Sequence, residues 1–305
     1  MRVLVVGASG VIGRRLVPQL AERGHQVTGT SRSAAKAGQL RSLGAEPAVL
    51  DVLDADAVRA LVAGARPDAI IYEATALTGV SFSRNMDKAF APTNRLRTTG
   101  TDNLLAAAGE QGVPKFIAQS FAPFRYAREG GPVKEETDPL VADPPPTARV
   151  GFAAMAHVDE AVPAAGGIAL RYGGFYGDPD DAMVKAVRKR QFPLVGDGGG
   201  IMPFIHVDDA AAASVLALDA DGPAVYNITD DEPAPMRDWL PALAAALGAK
   251  PPFHVPAWVA GLFMGAMLPM MTEGRGASNA KAKKELGWTL RYPTWRVGFP
   301  ASYGG

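Results

Sequence analysis

Apolar residues fall along this chain in two alternating rhythms. Arg2 to Val6 is a short β-branched run of the kind that forms a buried strand. Val11 to Arg23 is helical in character and stops at Gly24, a residue that readily ends a helix. The pair then repeats. Gln26 to Thr30 predicts a second strand, and Ala34 to Leu43 a second helix closed by Gly44. Pro47 to Leu50 and Ala55 to Ala63 predict the third pair, and Asp68 to Glu73 a fourth strand. A long helical stretch runs from about Lys88 to Gln111, followed by strands at Lys115 to Gln119 and Ile168 to Tyr172. Strands that alternate with helices in this way are joined by right-handed crossovers. The pattern therefore predicts an α/β fold, a Rossmann-type doubly wound parallel sheet. After Gly177 the alternation weakens while prolines and glycines become denser. This divides the chain into a first part over 1–177, to which some later segments return, and a smaller mixed α/β part over 178–305. Pro144-Pro145-Pro146 is a stiff spacer ahead of a helix.

The turn between the first strand and the first helix reads Gly7-Ala8-Ser9-Gly10-Val11-Ile12-Gly13. Gly7 permits a tight turn, Gly10 lets the backbone approach a pyrophosphate, and Gly13 lets helix and strand pack closely. The helix start then offers free N–H groups and partial positive charge to phosphates. A glycine pattern alone also suits a plain turn. Here the strand before it, the helix after it and the βα series beyond it favour a dinucleotide cradle. A selector follows at the end of the second strand, Gly29-Thr30-Ser31-Arg32-Ser33. An NAD site usually carries an acid there to hold the ribose 2′-hydroxyl, and no acid occurs before Glu46. Ser31 and Arg32 instead suit a 2′-phosphate, so NADP(H) is expected, with NAD(H) as the alternative. A merely solvated Arg32 at a helix start is the competing reading.

Composition narrows the partners. The 305 residues are 48% hydrophobic, with 31 basic and 31 acidic side chains. A large core is affordable, and no net positive field exists to hold nucleic acid or an anionic membrane. Cysteine is absent, and the four histidines (His25, His157, His206, His254) share no metal-ligand spacing, so no metal site is expected. Only about five apolar residues follow Met1-Arg2, too few for a signal peptide. A cytoplasmic protein with a small-molecule substrate is expected, and a homodimer is left open. Val255 to Thr272 is uncharged and rich in Trp258, Leu262, Phe263, Met264, Met267, Leu268, Met270 and Met271. Gly261, Gly265 and Pro269 interrupt it. It reads as a helix that covers a pocket or a partner rather than as a membrane anchor.

The spacing Gly-x-x-Gly-x-x-Gly resembles the extended branch of the short-chain dehydrogenase/reductase superfamily, the NAD-dependent epimerase/dehydratase type. Further segments resemble it in the right order: Asp51-Val52, Glu73-Ala74-Thr75-Ala76, Asn94 with Gly100-Thr101 and Asn103-Leu104-Leu105, Leu170 to Gly177, and Phe204 to Ala211. The resemblance implies that Asp51 and Val52 touch the adenine. It also implies that Ala74, Thr75 and Ala76 lie beneath the cofactor with Asn94 nearby, and that Tyr172 and Gly173 line the nicotinamide. With Gly7, Ser9, Gly10, Val11, Ile12, Gly13, Ser31 and Arg32 these complete the expected cofactor site.

The family's reductive chemistry uses a Tyr with a Lys four residues on, both on one helical face. None of the seven tyrosines (72, 126, 172, 176, 226, 292 and 303) has Lys at that spacing. The helix that resembles the family's catalytic one is Phe152-Ala-Ala-Met-Ala-His-Val-Asp-Glu160. Registering on Glu160 puts Phe152 at the Tyr position and Ala156 at the Lys position, and neither moves a proton. Three substitutes are candidates. Ser120 can bond a substrate oxygen, Tyr176 can donate a proton, and His157 offers an imidazole able to act as acid or base, although it lies roughly 100° around the helix from residue 156. Each also has an ordinary structural use. A hydride acceptor such as an iminium or a conjugated alkene needs no side-chain acid, and Phe121, Phe124, Phe152, Phe175 and the 258–271 stretch suggest an apolar pocket. The expected function is an atypical NADP(H)-dependent oxidoreductase reducing a small, fairly apolar organic substrate without the Tyr–Lys pair. The alternatives are a non-catalytic NADP(H)-binding sensor module and a nucleotide-sugar epimerase or dehydratase.

Overall fold

A computed structural model describes residues 1–77, 85–264 and 268–304. Seven strands form one parallel sheet: β1 (Arg2–Val6), β2 (Gln26–Ser31), β3 (Ala45–Val49), β4 (Ala69–Tyr72), β5 (Lys115–Phe121), β6 (Ile168–Tyr172) and β7 (Ala224–Ile228). Their order is β7-β6-β5-β4-β1-β2-β3, and every pairing is parallel. The order reverses between β1 and β4, which places a binding crevice beyond the carboxyl ends of those two strands.

The central strands β1 and β4 are almost wholly apolar because they are covered on both faces, and successive side chains alternate between two cores. Val3, Val5, Ile71, Ile117 and Leu170 pack with α1 (Gly13–Glu22) through Leu16, Val17 and Leu20, and with α6 (Val207–Leu216). Leu4, Val6, Ile70, Tyr72, Phe116 and Ala118 pack on the other side with α3 (Ala55–Ala65), α4 (Thr101–Glu110) and α5 (Arg149–Ala164). The remaining labelled helix, α2 (Ala37–Ser42), covers β2 and β3 through Leu40. A third core holds Tyr176, Phe204, Trp239, Trp295 and Phe299 and builds the C-terminal part. β7 and α6 come from beyond residue 178 and belong to the sheet layers.

Two boundaries differ from the sequence pattern. The third strand starts at Ala45, two residues early. The stretch from Lys88 to Gln111 is not one helix: short helices at Met86–Ala89 and Ala91–Arg95 lead into a widened π turn at Leu96–Gly100 and then α4. The Thr98 hydroxyl donates to the Asn94 carbonyl, and the Tyr72 hydroxyl donates to the Leu96 carbonyl at 2.7 Å. A Cβ on Gly100 would lie 2.4 Å from that same hydroxyl. The turn therefore widens where a buried Tyr reaches the helix backbone. The helix α6 is capped by His206: the Asp208 N–H donates to His206 Nδ1 at 3.1 Å. Burial, with Arg15 and Arg291 nearby, lowers His206 to about 4, which keeps the ring neutral and able to accept. Asp208 pairs with Arg15, and Asp209 accepts the Arg291 and Tyr292 N–H groups.

The apolar segment after Val255 forms helices at Ala257–Met264 and Leu268–Thr272. Trp258 is 74% exposed, and Leu262 and Phe263 are nearly as open, so these side chains do not cover a pocket within the chain. Gly265, Met267 and the Met270 side chain lie outside the described residues. Among the described residues no helix is long and apolar enough to cross a membrane.

Candidate cofactor and active site

The glycine loop sits at the carboxyl end of β1, against the end of β4. Gly7 has φ +92°, where only glycine is unstrained, and a Cβ there would lie 2.7 Å from Ala74 Cα. A Cβ on Gly13 would lie 2.5 Å from the Gly7 carbonyl oxygen. The Gly10 N–H donates to that same oxygen at 2.9 Å, which closes the turn. No side chain caps α1, and its first turn holds Arg14 and Arg15 with no acid. Arg14 and Arg15 are paired with Asp178 and Asp208, so it is the uncapped N–H groups of the helix start, beside a glycine turn too tight for side chains, that suit a pyrophosphate.

The selector strand is tied to this loop. Thr30 Oγ1 accepts the Gly7 N–H at 3.2 Å, and the Ser9 and Ser31 hydroxyls bond at 3.2 Å. Ser31 Oγ also accepts the Ser33 N–H, and Arg32 lies exposed beside it. Asp51 spends one carboxylate oxygen on the Leu53 N–H. Val52 is buried, with its carbonyl accepting from Asn103 Nδ2 and its side chain against Gly100. The Ala76 N–H donates to Thr93 Oγ1, which anchors the Ala74-Thr75-Ala76 segment. Val11 is exposed and Ile12 buried. Asn94 is buried with no protein partner for either amide atom, so it has hydrogen-bonding capacity left for a ligand or water.

Tyr172 does not line this crevice. Its side chain turns to the α6 face of the sheet, where its hydroxyl donates to Glu73 Oε1 at 2.7 Å and meets the Ser214 hydroxyl. Gly173 is a packing glycine, because a Cβ there would lie 2.8 Å from the Phe204 backbone. Burial, opposed by the bonds from Tyr172 and Ser214, raises the Glu73 carboxyl from 4.5 to about 8. The folded protein holds this proton to about pH 8, whereas the unfolded chain releases it near 4.5. The stability that goes with it is complete below 4.5 and is lost as pH rises to about 8. Glu73→Gln keeps the oxygen that accepts from Tyr172 and removes the titration. Its melting temperature minus that of wild type is expected to grow steadily from pH 5 to pH 8.5. Asp230, raised to about 8 by burial, titrates alike in both proteins and cancels in the difference. A difference that stays flat with pH would refute a neutral Glu73.

The face of α5 that carries Phe152 and Ala156 opens on a cleft of about 350 Å³. Phe152, Ala153, Ala156 and Arg149 form one wall. Leu140 to Pro144 form the opposite wall, and Arg125 also lines the cleft. Phe121, Phe124, Phe152, Val141 and Met155 cluster there, so part of the expected apolar pocket is assembled. Phe175 packs instead against Tyr172 and the first core. Phe121 ends β5 as Gly7 follows the end of β1, so cleft and cradle share the carboxyl edge of the sheet.

The three candidate proton donors separate. Ser120 lies opposite Arg171 in the β5–β6 register, and its alternation with Phe116 and Ala118 turns it to the α5 side. It is 1% exposed, and its hydroxyl has no protein partner. His157 points to α4, where Nε2 meets Asp102 Oδ1 at 2.6 Å near the surface, away from the cleft face. Tyr176 is buried edge-on against Phe204, His206 and Phe299. Its hydroxyl abuts Gly298, where a Cβ would come within 2.2 Å, and burial raises its pKa far above the ordinary value. Both are corrected from donors to structural side chains.

A buried charge cluster beside the cleft was not singled out by the sequence pattern. Asp159 Oδ2 accepts from Arg125 Nη2 and from Arg171 Nε, each at 3.0 Å. Arg171 also donates to the Tyr126 hydroxyl, which bonds Asn227 at 2.6 Å. These residues are 34, 12 and more positions apart in the chain, and no local spacing announces them.

Comparison with known proteins agrees with this geometry. The model of the NAD dependent epimerase/dehydratase family matches residues 3–229. The chain is 40% identical to the 3-diazoavenalumate denitrifying reductase of a Streptomyces species, over 98% of this chain and 99% of that protein. It is 31% identical to the 2-alkyl-3-oxoalkanoate reductase of Stenotrophomonas maltophilia, over 82% of this chain and 76% of that one. Among solved structures it is similar to a human epimerase family protein solved with NADPH, at a TM-score of 0.74 and 20% identity, covering 99% of both chains.

Proposed function

The chain belongs to the NAD-dependent epimerase/dehydratase family, and from that premise we propose that it is an NADPH-dependent reductase for acceptors that need a hydride but no side-chain proton. The observation that carries this reading is the α5 face, where Phe152 and Ala156 occupy the positions that match the family's Tyr and Lys. Two relatives with named activities are reductases, and one of them removes nitrogen from a diazo compound. Bound in the cradle, a reduced nicotinamide supplies a hydride; for a diazonium acceptor the C–N bond breaks as the C–H bond forms, dinitrogen leaves, and no proton is consumed. The chain's own residues then bind, orient and exclude water. The Gly7–Gly13 turn and the start of α1 hold the pyrophosphate, Ser31 and Arg32 the 2′-phosphate, and Phe152, Phe121 and Val141 present a dry wall to the acceptor. The buried Ser120 hydroxyl orients a polar atom of the substrate.

The test combines cofactor binding with turnover. NADPH oxidation is expected with aryl diazonium salts, and deuterium from the C4-labelled cofactor is expected in the product at the carbon that bore nitrogen. NADPH binding with no oxidation across diazonium salts, imines, enones and ketones would replace this reading with a binding module. Arg32→Ala is expected to weaken NADPH by about tenfold, the worth of one charge-assisted bond to an exposed phosphate, and to leave NADH within a factor of about two. Equal losses for the two would remove the 2′-phosphate assignment.

A further inference from the structure

Arg125 is 2% exposed, yet it lines the cleft, and its Nη1 has no partner in the protein. Its other terminal nitrogen is fixed by Asp159, so the free one is held in place rather than roaming. Arg97 is buried nearby with Nε also unpartnered. Burial, with Arg125 close by, pushes Arg97 down to about 10, so it remains charged at neutral pH. Three guanidiniums, Arg97, Arg125 and Arg171, thus surround one buried carboxylate, Asp159, which bonds Arg125 and Arg171 through Oδ2 while its Oδ1 is unpartnered; Glu136 is the further carboxylate that acts on Arg171. A buried excess of positive charge with unused donors is unfavourable without an anion to meet it. The backbone is also bent to this end: Phe124, just before Arg125, has φ +66°, an expensive conformation for a bulky side chain and one found at functional sites.

We propose that the cleft is the substrate pocket and that Arg125, backed by Arg97, seats a substrate carboxylate there, so that the substrate is an organic acid anion whose apolar body lies against Phe152, Val141 and Leu140. This rests on the reductase reading and replaces its fairly apolar substrate with an amphipathic one. The guanidinium edge receives the carboxylate by charge-assisted N–H···O bonds. The apolar wall holds the rest of the molecule, and the reacting centre lies toward the sheet edge shared with the cradle. The names of both reductase relatives describe carboxylates, which agrees with this class.

The test uses binding to the protein saturated with NADP⁺, so turnover is not required. Cinnamate and its uncharged amide serve as probes, titrated by calorimetry. Wild type is expected to bind cinnamate about tenfold to a hundredfold tighter than the amide, the range of one or two charge-assisted bonds. Arg125→Met is expected to erase that preference, with NADP⁺ affinity retained as the check on folding. Ala153→Trp fills the cleft from an exposed wall position and is expected to abolish binding of both probes; it tests the location even if Arg125→Met does not fold. Equal affinity of wild type for acid and amide would overturn the proposal, as would full cinnamate binding by Ala153→Trp. The two readings fail separately. Cinnamate binding without hydride transfer to any acceptor keeps the seat and removes the reductase. Turnover of neutral acceptors with no carboxylate preference does the reverse.

Discussion

Gly13→Val is expected to abolish measurable NADPH binding and to lower the melting temperature by several degrees. Any Cβ at this position points into the loop's own backbone, 2.5 Å from the Gly7 oxygen and 2.6 Å from the Ala8 Cα and carbonyl carbon. Backbone atoms do not rotate away as a flexible side chain would, so the loop itself must move. Overpacking of this kind costs about 1–3 kcal/mol where relief is partial. The larger effect is on binding. The Gly7 oxygen accepts the Gly10 N–H, and the turn they close aims the start of α1 at the phosphates. Gly7 cannot retreat, because it is wedged against Ala74 on its other side. A displaced loop therefore loses its N–H alignment and its clearance together. Gly64→Ala is the control: it lies within α3 with nothing within 4 Å of its Cβ position, and the change is expected to stabilise by about 0.5–1 kcal/mol through helix propensity. Fluorescence titration with NADPH and thermal melts read both. Binding by Gly13→Val within a factor of about two of wild type would show that the loop is not the cradle.

The loop was legible because its chemistry is local. Three glycines at fixed spacing between an apolar strand and a helix specify a turn, and that turn is present. The sheet was legible for the same reason, since a strand covered on both faces must be apolar at every position, as Ala69–Tyr72 is. What local pattern does not carry is the direction in which a side chain leaves the sheet. Tyr172 ends a strand at the correct edge, yet it shares a face with Leu170, two residues earlier, which turns it to the α6 face and onto Glu73. His157 follows Ala156 in sequence, but one helical step of about 100° carries it to α4. Tyr176 resembles a donor only until Phe204, Phe299 and Gly298 are seen to enclose it. The break in the 88–111 helix is equally non-local, because the Tyr72 hydroxyl that meets the Leu96 carbonyl arrives from a strand 24 residues earlier. The lack of a Tyr and a Lys at Phe152 and Ala156, expected from the family resemblance, falls on one helical face that lines the cleft. That absence could be found by alignment to a motif, whereas the presence of Arg97 and Arg125 on the neighbouring wall could not, since only the fold assembles them.

Asp159→Ala is expected to be the most destabilising single change in the charge cluster, costing about 3–5 kcal/mol, the range for removing one partner of a buried pair. The carboxylate is the only fully buried acceptor shared by Arg125 and Arg171 among the described residues, through two bonds of 3.0 Å to one oxygen. Without it the two guanidiniums repel each other and Arg97, and all three are largely buried, Arg125 meeting solvent only through the cleft it lines. Against a typical total stability of about 5–15 kcal/mol, that loss would leave a substantial unfolded fraction at physiological temperature. Asp159→Asn keeps one accepting oxygen and loses the charge, so it is expected to fall between wild type and the alanine variant. Removing a cation with the anion separates uncompensated charge from lost packing. Asp159→Ala combined with Arg171→Met leaves Arg125 and Arg97 as the remaining cations, and Tyr126 keeps its bond to Asn227. The double variant is therefore expected to be more stable than the Asp159→Ala single variant, although it lacks more hydrogen bonds. Urea midpoints at constant slope measure all four proteins. A single variant within about 1 kcal/mol of wild type, or a double variant with additive losses, would mean that these cations are not confined. Confinement is the physical condition on which a carboxylate seat at Arg125 depends, because a guanidinium free to reach solvent has no need of a substrate anion.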